Sequence, residues 1–303
     1  MKIDNYGKYQ KYTFGSDTLT VSVITLGAIV ESLKYKGKET VLRYDDAEGY
    51  LSGSAYICAV IGRCANRIGG ARFTLNGKEY ILPANMGTDQ LHGGPLSYES
   101  RAWDAEVLSD NAVRFTLFSP DGDNGYPGNL TASVTYTVTG DALRLDFGGK
   151  CDADTVYAPT SHMYFNLGGE SVLEHDMSIN AKGYLEYNDR LIPTGKLLPC
   201  DGEFDFSKMR RIGRDYDNAF ILAGEDACAV EHDGVRLEVS TNFPAIQVYT
   251  AISMTPPHWK NCGLAIEPEA YPDSMNHAEF PSVVLRAGEE YHRWAEYRFS
   301  TKG

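Results

Sequence analysis

Leu130-Thr131-Ala132-Ser133-Val134-Thr135-Tyr136-Thr137-Val138 alternates apolar and hydroxyl-bearing residues, and Leu143, Leu145 and Phe147 then alternate with charged ones. A period of two is the signature of a strand with one buried face, because successive side chains leave the backbone on opposite sides. The same period recurs on either side. Val113, Phe115 and Leu117 precede this stretch, and Leu19, Val21 and Val23 lie further upstream. Val235, Leu237 and Val239 follow, then Ile246 to Thr250, and finally a run carrying Tyr291, Trp294, Tyr297 and Phe299. Phe73 and Leu75 run into Asn76-Gly77, with Tyr80-Ile81-Leu82 beyond. Both residues of that dipeptide tolerate positive φ, so the stretch predicts a hairpin.

Turn dipeptides recur at Asp121-Gly122, Asn124-Gly125, Asp201-Gly202 and Asp233-Gly234, and the chain holds 30 glycines and 20 tyrosines. Helical stripes are scarce, and two short ones are expected, near Asp45 to Leu51 and Phe206 to Ile212. Many antiparallel strands without crossover helices predict an all-β fold, a large antiparallel β-sandwich or a barrel. No repeat, linker or low-complexity stretch divides the 303 residues, so residues 1–303 are expected to form a single domain.

Apolar residues make up 43% of the chain and charged residues 23%, enough apolar content for a packed core. The net charge of −13, with no Lys/Arg-rich run, argues against nucleic acid, anionic membranes and highly phosphorylated substrates. Met1 to Gln10 is polar, and the longest apolar stretch, Ala55 to Ile61, falls far short of the roughly 20 residues a spanning helix requires. A soluble, cytoplasmic protein is expected. The cysteines at 58, 64, 151, 200, 228 and 262 form no Cys-x-x-Cys pair, so reduced and mostly buried thiols are expected rather than a metal site.

Five places could carry chemistry. Leu91-His92-Gly93-Gly94 sets a histidine beside glycines that would let backbone approach a ligand closely. His162 interrupts the aromatic run Thr160-Ser161-His162-Met163-Tyr164-Phe165-Asn166-Leu167. Gly62-Arg63-Cys64-Ala65-Asn66-Arg67-Ile68-Gly69 holds two arginines and an asparagine between glycines, and Asp217 lies in Tyr216-Asp217-Asn218-Ala219-Phe220. Each has a plain structural reading, as a satisfied histidine, a solvated loop or a turn residue. In Leu264-Ala265-Ile266-Glu267-Pro268-Glu269-Ala270 two carboxylates at i and i+2 share one strand face. Pro268 favours extended backbone at Glu267, and an acid behind three apolar residues should be buried enough to become a stronger base. Two ordinary glutamates at a strand end would be the alternative. Asp121-Gly122-Asp123-Asn124-Gly125 lacks the downstream glutamate of a calcium loop and reads as a turn.

Taken together and in order, these segments resemble the aldose 1-epimerase (galactose mutarotase) family. The matching pieces are Gly62-Arg63…Asn66-Arg67-Ile68, Leu91-His92-Gly93-Gly94, Ser119-Pro120-Asp121-Gly122…Gly125-Tyr126-Pro127-Gly128 and His162…Tyr164-Phe165-Asn166-Leu167. Asp217…Phe220, Gln247-Val248-Tyr249-Thr250 and Glu267…Pro272-Asp273-Ser274…Asn276-His277 complete the set. The resemblance implies a β-supersandwich with an open sugar cleft. It implies interconversion of the α and β anomers of a free aldohexose such as galactose or glucose, with no metal or other cofactor. Glu267 matches the family's catalytic base and His162 its catalytic acid. Arg67, His92 and Asp217 match its sugar-binding set, with Asn66 as a further hydroxyl contact. The family usually has Gln where this chain has Glu269, Asn where it has Ser161, and an aromatic residue where it has Cys64.

In this reading a carboxylate and an imidazolium stand on opposite sides of the hemiacetal, the histidine keeping a proton near its ordinary pKa. The expected partner is a small-molecule sugar, bound by a monomer or homodimer. The alternatives are a non-catalytic carbohydrate-binding or sensing protein on the same fold, a glycoside hydrolase using Glu267 and Glu269, and a phosphosugar epimerase.

Overall fold

A computed structural model describes residues 1–53 and 55–301. Three antiparallel sheets dominate. The largest has nine strands in the order Asp104–Ser109, Ala112–Ser119, Leu130–Thr139, Ala142–Cys151, Glu290–Thr301, Val235–Thr241, Asp226–His232, Asp176–Ile179 and Arg210–Arg211. The second has six, in the order Tyr164–Phe165, Leu264–Glu269, Ala245–Tyr249, Asp217–Leu222, Ala181–Tyr187 and Pro193–Leu198. The third has five, running from Lys2–Tyr6 to Lys38–Glu39 in chain order. The architecture is the antiparallel β-sandwich that the alternation predicts.

Each predicted strand is present, and the alternation works as expected. Leu130, Ala132, Val134 and Tyr136 are fully buried while the intervening hydroxyl residues face outward. Phe147 and Tyr297 continue the buried face into neighbouring strands. One apolar cluster draws on all three sheets, from Val21 and Leu33 through Phe115 and Tyr297 to Ile246 and Ile266. Each such side chain contributes about 1.5–3 kcal/mol on burial. The hairpin Arg72–Leu75 and Lys78–Ile81 turns on Asn76 and Gly77, at φ 51° and 78°.

Of the two expected helices, one forms and one needs correction. The helix expected near Asp45 forms over Ala47–Ser52, with the Asp46 carboxylate accepting the Gly49 N–H at its N-terminus (2.9 Å). The one expected over Phe206 to Ile212 does not form. Arg210–Arg211 pairs with Asp176–Ile179 instead, and extended chain buries Phe206 and Ile212 without a helix. Sheet pairing of the backbone here outweighs a weak local pattern. Trp294 also differs from the other aromatics of its strand. It lies on the outer face under the Arg144 guanidinium (4.3 Å), while Tyr297 and Phe299 enter the core.

Candidate active site

The six-stranded sheet has one face on the apolar core and the other on a cleft. Ile266 and Val248 belong to the core cluster, whereas Glu267 and Gln247, directly paired across two strands, line the cleft. Asp217 reaches the same face from the next strand, where it pairs with Tyr249. The cleft holds about 700 Å3, and all six residues singled out from the sequence line it: Glu267, His162, Arg67, His92, Asp217 and Asn66.

His162 follows the short strand Thr160–Ser161, its backbone tied to Ala59 and Cys58. The ring stacks on Tyr164 with centroids 4.7 Å apart and meets His92 edge-on at 5.2 Å. Its Nε2 lies 3.4 Å from Glu267 Oε1, and both side chains are nearly inaccessible. Burial pushes the imidazole down to about 3. Burial also raises the Glu267 carboxyl, and Glu269 and Asp217 add to the rise as like charges. Desolvation thus disfavours the charged form of both groups, the imidazolium of His162 and the carboxylate of Glu267. This corrects the expectation of an imidazole near its ordinary value, because that value belongs to a solvated ring. The two groups also stand side by side rather than on opposite sides of a space. They can address the two oxygens of a hemiacetal along one edge, since both oxygens are bonded to the same carbon.

His92 occupies a left-handed conformation (φ 51°) in a turn whose glycines have a different use from the one expected. A Cβ on Gly93 would lie 2.0 Å from the Gly62 carbonyl oxygen, so the close approach is to protein backbone rather than to a ligand. His92 Nδ1 accepts the Asn66 N–H (3.0 Å). Burial, with His162 and Arg67 adding to it, holds the ring well below its ordinary pKa. A neutral ring accepting at Nδ1 carries its proton on Nε2 and offers the cleft a donor. His92, His162 and Glu267 each have an atom within 4.8 Å of the others, close enough to suggest a metal triad. The Asn66 N–H opposes that use, because it keeps the proton on the His92 nitrogen a metal would need.

The two arginines of one loop have separate fates. Arg63 is 2% exposed, and its guanidinium is saturated by the Ser119 hydroxyl and by the carbonyls of Ser119, Pro120 and Pro127 and the Thr155 hydroxyl, at 2.7–3.1 Å. Ser119-Pro120-Asp121-Gly122 and Tyr126-Pro127-Gly128 thus serve as its cradle, and the charge is unavailable to a phosphate. Asp121 in that loop accepts the Gly128 N–H, and Asp123 pairs with Arg101, so these acids act as turn and clamp residues. Arg67 stays half-buried at the cleft with one long contact to Asn66 Oδ1 (3.5 Å). It faces Glu267, Glu269 and Asp217, whose ionisation it favours.

Asn66 differs from the expectation of a simple hydroxyl contact. Its Oδ1 accepts the Arg67 N–H (2.9 Å) and its Nδ2 donates to Glu269 Oε1 (3.1 Å), which leaves its amide largely engaged within the protein. Glu269 is 1% exposed, so the alternative of a solvated strand end fails for it as for Glu267. Burial lifts Glu269 to about 8. Burial likewise raises Asp217, which accepts from Gln247 Nε2 at 2.5 Å. Gln247 and Tyr164 were given no role from the sequence. Cross-strand pairing with Glu267 places the first, and stacking on His162 the second, and neither contact has a local signal.

The hydrolase reading requires two carboxyls flanking a bond. Glu267 and Glu269 project from one strand, and Glu269 turns toward Asn66 outside the cleft lining.

Comparison with known proteins identifies the family and the fold. The family model described as aldose 1-epimerase matches residues 10–298. The chain is 37% identical to galactose mutarotase of Mus musculus, over 97% of this chain and 95% of that one. It is 34% identical to aldose 1-epimerase of Haemophilus influenzae, over 96% of each. The solved structure of an aldose epimerase homologue from C. elegans superposes with a TM-score of 0.93 at 27% identity, covering 97% of this chain and all of that one. An ordered set of motifs, a mutarotase-like sandwich and near full-length similarity converge: the chain belongs to the aldose 1-epimerase family of carbohydrate isomerases.

Proposed function

We propose that this enzyme equilibrates the α and β anomers of a free aldohexose such as galactose or glucose, with Glu267 and His162 moving the protons. The observation that carries the reading is the buried pair itself, Nε2 and Oε1 3.4 Å apart at the floor of a cleft large enough for a sugar ring. Passing a proton from Glu267 to His162 creates a carboxylate and an imidazolium. The carboxylate takes the proton of the anomeric hydroxyl while the imidazolium protonates the ring oxygen. The ring opens, the C1–C2 bond turns, and closure reverses both transfers on the other face. The proton count of the pair is the same before and after. A positioned proton transfer contributes about 10²–10⁴-fold. His92 donates through Nε2–H, Arg67 donates through its guanidinium, and Asp217 accepts, which fixes the hydroxyls of the sugar.

The net charge of −13 supports a neutral sugar rather than nucleic acid as partner. Six unpaired cysteines, five of them buried, support work in the reducing cytoplasm. The family match over residues 10–298 and the cluster shared by the three sheets support one domain.

Polarimetry of freshly dissolved α-D-glucose and α-D-galactose tests the activity. The expected result is faster decay of rotation with protein, on at least one sugar and undiminished after dialysis against EDTA. Rates equal to the uncatalysed ones on both sugars would reject it in favour of a binding protein.

A further inference from the structure

We infer that Glu269 is a positioning residue for the reaction: acting through Asn66, it holds His92 and Arg67 where they meet the sugar. The inference rests on the assignment of those two residues to sugar binding. Asn66 is the hub. Its backbone N–H goes to His92 Nδ1 and its carbonyl accepts the His92 N–H, both at 3.0 Å. Its Oδ1 accepts the Arg67 N–H at 2.9 Å. All three bonds are made from a left-handed backbone at Asn66 (φ 58°), a region that asparagine enters more readily than other non-glycine residues.

The bond from Nδ2 to Glu269 Oε1 ties this hub, across 203 residues of sequence, to the strand that carries Glu267. The loop is also held further along. Asp273 accepts the Gly69 N–H (3.0 Å) and Asp89 the Gly70 N–H (2.8 Å). Loss of the Glu269 bond therefore releases the Asn66 amide while the rest of the loop stays anchored.

The chemistry of the contact explains why an acid serves here. Asn66 Nδ2 needs an acceptor, which a neutral carboxyl supplies through its carbonyl as an amide would. Burial keeps Glu269 largely neutral near pH 7. Its Oε2 has no partner among the described residues, an arrangement costly for a buried carboxylate and far less so for a carboxyl.

The test compares Glu269→Ala with Glu269→Gln by polarimetry and by 15N NMR of histidine-labelled protein. Glu269→Ala is expected to raise KM about tenfold or more, with a smaller change in kcat. It should also move the His92 ring nitrogens from the Nε2–H pattern toward a tautomer mixture. Glu269→Gln, whose amide oxygen can take the Asn66 bond, is expected to recover most of the KM and the wild-type His92 signals. Two results overturn the inference: Glu269→Ala with KM within twofold of wild type and unshifted His92 signals, or Glu269→Gln as impaired as Glu269→Ala. The NMR readout stands without turnover. A wild-type protein that fails to equilibrate anomers would reject the activity while leaving this inference to be decided by the His92 signals.

Discussion

The nine-stranded and six-stranded sheets handle the same residue types in opposite ways. In the first, Leu130–Thr139 buries every second side chain and sends the others to solvent. Asp146, on the outward face of its neighbour Ala142–Cys151, shares Arg144 and His292 at 3.0–3.1 Å in the open. In the second, Leu264–Glu269 is buried at all six positions, because the cleft side is covered too. Glu267 there has His162 at 3.4 Å, and its Oε2 has no partner among the described residues. The difference teaches where chemistry can sit. A carboxylate on a one-sided sheet is solvated and ion-paired, whereas on a two-sided sheet burial itself makes the group a stronger base.

Activity should separate the two faces most widely. Glu267→Gln is expected to lower kcat by about 10²–10⁴-fold, because an amide cannot accept the proton. Asp146→Asn, on the other sheet, should leave kcat within twofold. Comparable losses in both, measured by polarimetry, would dissolve the contrast. His162→Asn extends it to the second proton carrier, with kcat falling far more than KM rises, since the proton matters chiefly in the transition state. A kcat within a few-fold of wild type would remove His162 from the chemistry.

The arginines sharpen the comparison next. Arg63→Met leaves the buried Ser119, Pro120 and Pro127 carbonyls unpaired, at about 1–3 kcal/mol for each acceptor, so the urea midpoint should fall. Arg67→Met should raise KM while the urea midpoint stays near that of wild type. A reversed pattern would mean that Arg67 braces the fold and Arg63 meets the sugar.

The smallest effect concerns stability against pH. The folded value of Glu269, about 8, lies above its unfolded value near 4.5, so the folded chain keeps a proton that the unfolded chain releases. Folding gains from this below 4.5, and the gain is lost as pH rises toward 8. Glu269→Gln removes the titration. Relative to wild type, its melting temperature should climb between pH 4.5 and 8, with Glu267, Asp217 and Arg67 as the charged groups alongside. A constant difference across that range would show that Glu269 is ionised in the folded protein.

Local pattern was enough for much of this molecule. Alternation located the strands, because side chains on extended backbone must alternate faces, and Asn76-Gly77 located a hairpin, because few dipeptides accept positive φ twice. The i, i+2 spacing of Glu267 and Glu269 placed both on one face, and Pro268 kept the chain extended between them. What depends on distant partners was decided only by the tertiary structure. Nothing near Arg63 and Arg67 says which one is enclosed, since the enclosing carbonyls lie 56 to 64 residues away. Phe206 to Ile212 looks helical until an adjacent strand claims its backbone. The neutral His162, the Nε2–H form of His92 and the buried Glu269 follow from desolvation and from contacts such as Asn66 to Glu269, which only folding brings within reach.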